Sequence, residues 1–137
     1  MRIQDKIGEI EKYLEELSEI QPENFENYKN DFKTKAACER YFEKIIESIV
    51  DLAFLVIKEK KFKVPEEDKE AFDILTNEGI ISKELAEKLK DAKGMRNLIA
   101  HEYGKVDDEI VFESITSELG RDTEHFVEKV KQIIKKS

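Results

Sequence analysis

The segment Gly94-Met95-Arg96-Asn97-Leu98-Ile99-Ala100-His101-Glu102-Tyr103-Gly104 concentrates the residues of this chain that are suited to chemistry. Arginine presents a planar fork of donors that matches a phosphate. Histidine gives and takes protons near neutral pH without special tuning. One group to hold phosphate charge and one to move protons suffice for phosphodiester cleavage without a metal. On a helix each residue turns by about 100°, so Arg96 and Tyr103 share nearly one face. Asn97 and His101 share a second face and are close enough to touch. Arg96 and His101, five apart, diverge by about 140°. One straight helix therefore does not aim both at one small group. Either the helix loosens before Gly104, since glycine tolerates the left-handed conformation, or a second copy of the chain supplies the complement. Arg-x-x-x-x-His is a short and common pattern, and on its own it reads more readily as two helix-end cations with Tyr103 packed on a neighbour.

The elements that must position these residues are helical. Ile3, Ile7, Ile10, Leu14 and Leu17 recur at spacings of four and three, the apolar stripe of a first helix that ends at Pro22. A second helix is expected from between Asn24 and Tyr28 to about Lys60. Its run Leu52-Ala53-Phe54-Leu55-Val56-Ile57 is apolar all round, which implies neighbours on several sides and surplus surface for a subunit interface. Arg40, Lys44, Glu47 and Asp51 follow one another on this helix at spacings of four, three and four. They read either as a solvated, mutually paired face or as a flank on which Arg40 and Lys44 line a cleft with Arg96. Pro65 and the acids after it open a third helix that Gly79 stops. Ser82 caps a fourth helix, with Leu85, Leu89, Ala92 and Ile99 on its core side, so that Leu98 and Ile99 anchor the Arg96 segment. Asp107 or Asp108 caps a fifth, interrupted at Gly120 and resumed by Phe126, Val127, Val130, Ile133 and Ile134. The expected architecture is an all-α, up-and-down bundle of about five helices, a single domain over residues 1–137.

Composition narrows the function. Charged residues make up 41% of the 137, and the formal net charge is −8, which argues against broad electrostatic binding to nucleic acid. Any RNA contact must be local. Cys38 is alone and His125 has no second ligand at metal spacing, so neither a disulfide framework nor a metal or cofactor site is expected. There is no secretory apolar core at the N-terminus and no run approaching a membrane span, and a cytoplasmic location is the expectation.

Arg96-Asn97-x-x-x-His101-x-Tyr103, with Val106-Asp107 behind it, resembles the signature of HEPN-domain ribonucleases. More closely, nearly the whole chain resembles HepT toxins that pair with minimal nucleotidyltransferase antitoxins, including Glu39-Arg40 and Glu47-Ser48-Ile49-Val50-Asp51. The resemblance implies an all-α homodimer whose two signatures meet in a shared cleft. It also implies a metal-independent endoribonuclease of a type II/VII-like toxin–antitoxin pair. On that reading Arg96 binds the scissile phosphate, and His101 promotes attack by the ribose 2′-hydroxyl or protonates the leaving oxygen. Asn97 orients His101, and the partner nucleotidyltransferase silences the toxin by attaching AMP to Tyr103. The alternative is a non-catalytic helical binding subunit of a two-component nucleotidyltransferase.

Overall fold

A computed structural model of the chain describes residues 2–101 and 106–136. Helix α1 (Ile3–Ile20) buries Ile7, Ile10 and Leu17 along α3 (Phe32–Lys60), and Gln21 turns extended ahead of Pro22. The expected second helix is broken near its start. A short α2 (Phe25–Asn30), capped by Asn24, precedes α3, and Asp31 between them is extended at φ −113° and ψ 95°. The Asp31 carboxylate accepts from the Lys33 and Thr34 amides and from the Thr34 hydroxyl. It satisfies N–H groups that a continuous helix would have bonded to carbonyls, and so restarts the helix.

The apolar run of α3 is helix, with Leu52, Ala53, Val56 and Ile57 buried against several neighbours. Lys61 ends α3 in the left-handed region at φ 60°, its N–H turned back to Ile57 and Lys58. Helix α4 (Asp68–Asn77) begins three residues after Pro65. It stops at Gly79, whose φ of +76° is the conformation that favours glycine there. Ser82 Oγ accepts from the Leu85 amide at 3.0 Å and opens α5 (Lys83–His101), which carries Arg96 and His101. Leu85, Ala86, Leu89 and Ile99 are its buried residues.

Asp107 caps α6 (Asp108–Glu113), and a π-helical turn over Ser114–Glu118 joins it to α7 (Leu119–Lys136). Gly120 does not interrupt the rod; the irregularity lies one turn earlier. Val111, Ile115 and Leu119 are all buried at spacings of four. A regular α-helix would rotate each by about 40° past the last, and a wider π turn keeps the three on one face.

One core unites these elements, with α3 packed against α1, α4, α5 and α7. Phe72 of α4 meets Phe126 of α7 edge to face at a centroid distance of 6.1 Å, both fully buried. Burying each such side chain contributes about 1.5–3 kcal/mol. Exposed apolar side chains include Phe32, Val64, Leu98 and Ile110, and on the α3 run Phe54 and Leu55 stay half-buried beside Val64.

Candidate active site on α5

Arg96 faces inward, toward α3. Its Nη2 donates to Glu47 Oε1 and its Nη1 to Asn97 Oδ1 at 3.3 Å, while its Nε is buried without a hydrogen-bond partner. The Arg96 side chain keeps 19% of its exposure and Glu47 keeps 40%, so the pair lies between α5 and α3 and is not sealed inside. One turn earlier Lys93 pairs with Asp68 at 3.2 Å. Glu47, Asp68 and Lys93 line a hollow of about 320 Å³ with Val50, Asp51 and Phe54. Two cations of α5 thus meet acids of α3 and the start of α4.

His101 is exposed, on the last turn of α5. The helix remains α-helical through that residue, so it does not loosen in time to bring the imidazole round to Arg96. Asn97 takes its hydrogen bond from Arg96, and among the described residues none joins it to His101. The orienting role expected of Asn97 is therefore not formed in this protomer. Leu98, expected beside Ile99 in the core, is instead 43% exposed. It precedes Ile99 and lies on the outward side of the helix, three residues before His101. Tyr103 lies outside the described residues.

The stripe on α3 resolves differently from either expectation. Its members pair with other helices, not with one another: Glu47 with Arg96, and Asp51 with the buried Lys6 at 3.3 Å. Lys44 Nζ sits over the rings of Tyr13 and Tyr41, at 5.4 and 5.5 Å from their centroids. That cation–π contact commits Lys44 to the α1 side. Arg40 is exposed. Glu47 stood on the expected stripe, but its pairing with Arg96 was not expected. It lies 49 residues from Arg96, and helical periodicity carries no signal across that distance.

The fold and the α5 constellation define an all-α bundle that presents an arginine and a histidine, Arg96 and His101, from one helix. The ribonuclease HepT-like family matches residues 10–133, and the chain belongs to that family. A candidate RNase of Archaeoglobus fulgidus is 33% identical over 99% of this chain and 98% of its own length. The mRNA nuclease HepT of Shewanella oneidensis is 22% identical over 93% of this chain and 94% of its own length. Among solved structures, the tri-AMPylated HEPN toxin of Shewanella oneidensis, in complex with its MNT antitoxin, superposes with a TM-score of 0.88. It is 22% identical, with 95% of this chain and 96% of that one covered. At that identity the likeness establishes the shared HEPN fold.

Proposed function

We propose that this protein is a metal-independent endoribonuclease toxin that works as a homodimer in the cytoplasm. One observation carries the reading: α5 stays helical through His101, so Arg96 turns into the cleft beside α3 while His101 faces outward. A site made by one protomer would separate the two by about 140° around the axis. A shared cleft between two copies removes the difficulty, and the exposed Leu98 beside His101 gives such a contact an apolar centre. Arg96 then holds the scissile phosphate and His101 moves a proton as the ribose 2′-hydroxyl attacks phosphorus. The chemistry requires RNA, because DNA lacks that hydroxyl. With a net charge of −8, affinity rests on this local site and not on a broad basic surface.

The family's pairing with a minimal nucleotidyltransferase extends to this chain: its cognate enzyme attaches AMP to Tyr103. An anionic adduct seven residues from Arg96 would compete for the arginine and silence the toxin. The test is expression in cells lacking the antitoxin. Wild-type protein is expected to arrest growth and degrade RNA, and His101→Ala to do neither while keeping the same oligomeric state. Equal toxicity of the two would overturn the assignment. A wild-type protein free of AMP that binds a nucleotidyltransferase tightly and cuts no RNA would make it a binding subunit instead.

A further inference from the structure

Cleavage through the 2′-hydroxyl moves two protons, one away from O2′ and one onto the departing O5′. Arg96 carries neither, since a guanidinium does not give up its proton in a protein. His101 accounts for one. Resting on the ribonuclease reading above, we propose that Glu47 is the second carrier, the general base that takes the 2′-hydroxyl proton, with His101 as the general acid.

Geometry points to Glu47 among the acids around the cleft. Asp51 is engaged by Lys6 at 3.3 Å and Asp68 by Lys93 at 3.2 Å. All three acids are ion-paired and part-exposed, and Glu47 is the one bonded to the Arg96 guanidinium itself. A phosphate seated on the outer N–H groups of Arg96 lies directly beside that carboxylate. The 2′-oxygen belongs to the ribose attached to the same phosphate, so the group that anchors phosphorus also brings O2′ to Glu47. His101 leaves α5 on a different side and is exposed. In the shared cleft of the proposed dimer the acting His101 comes from the second copy, so the two carriers reach the phosphate from separate protomers, an arrangement that suits in-line displacement.

The step balances. Glu47 takes the proton from O2′, and the freed electron pair forms the O2′–P bond. The P–O5′ bond breaks with its pair going to oxygen, which takes the His101 proton. The products are a 2′,3′-cyclic phosphate and a 5′-hydroxyl, and water resets both side chains.

Single-turnover cleavage of a defined RNA by Glu47→Ala and Glu47→Gln, beside wild type, tests the proposal. RNA binding is measured separately with the Glu47 changes placed in His101→Ala protein. The expected result is a rate loss on the order of 10²–10⁴-fold, the usual contribution of a general base, with RNA affinity retained. Added formate or acetate should restore part of the rate to Glu47→Ala, where a small carboxylate can enter the vacated space. Three results would overturn it: cleavage at or above the wild-type rate, a rate loss matched by lost RNA affinity, or a loss that no carboxylate rescues. If Glu47→Ala cuts normally, only this inference falls. If the wild type cuts nothing, the ribonuclease reading falls and takes this one with it.

Discussion

Arg96 is a cation whose surroundings were chosen by the fold. Its Nη2 is held by Glu47, its Nη1 by Asn97, and its Nε is buried. A lysine there would keep the charge but lose the fixed plane that presents two donors to a phosphate. Cys38 shows the opposite case, a side chain that burial renders inert. It is fully buried on α3, and burial, with Glu39 adding to it, pushes the thiol up to about 11 from about 9. Below pH 9 the thiol is protonated in folded and unfolded chains alike, and its contribution to stability is complete. Between pH 9 and 11 the unfolded chain ionises while the folded one does not, so up to about 3 kcal/mol is lost on the high side of that window. The buried Tyr28 hydroxyl, raised by burial, acts in the same direction at higher pH. Denaturant unfolding at pH 8 and pH 11 should show this loss, and Cys38→Ala should reduce it. An identical pH dependence in the variant would contradict the assignment.

At the scale of elements, α5 divides its labour by face. Leu85, Leu89 and Ile99 anchor it, Lys93 and Arg96 meet acids of neighbouring helices, and Leu98 and His101 look outward. If the outward face is a dimer contact, Leu98→Glu should yield monomers by analytical ultracentrifugation, with helicity nearly unchanged because the residue is 43% exposed. Cleavage should fall with it, since the shared cleft would be lost. A dimeric, fully active Leu98→Glu protein would place the contact elsewhere. Much of this element pattern was legible in the sequence: the α1 stripe, the Gly79 stop, and the Ser82 and Asp107 caps each follow from local chemistry. The break at Asp31 was legible too, in Asp31 standing three residues before Thr34, but the long apolar phase on its downstream side masked it. The π turn at Ser114–Glu118 was not, because three apolar residues spaced by four look like an ordinary stripe until their burial is known.

For the molecule as a whole, a chain with net charge −8 would act on RNA, as proposed, only by confining its cations. The sequence supplied Arg96 and His101 and the geometric difficulty between them. It marked Glu47 on the α3 stripe but did not supply its pairing with Arg96, because contacts between helices distant in the chain leave no trace in periodicity. Nor did it show that Lys44 is taken up by Tyr13 and Tyr41. The central claim is that Arg96 and His101 cleave RNA through the 2′-hydroxyl without a metal. It is tested most directly with a short RNA, and its counterpart 2′-deoxy at the cut nucleotide, incubated in chelator with protein shown by mass spectrometry to carry no AMP on Tyr103. Wild type is expected to cut only the all-ribose strand and leave a 2′,3′-cyclic phosphate, and Arg96→Ala and His101→Ala to cut neither. Cleavage of the deoxy-substituted strand at the same position, or undiminished cutting by His101→Ala, would contradict it.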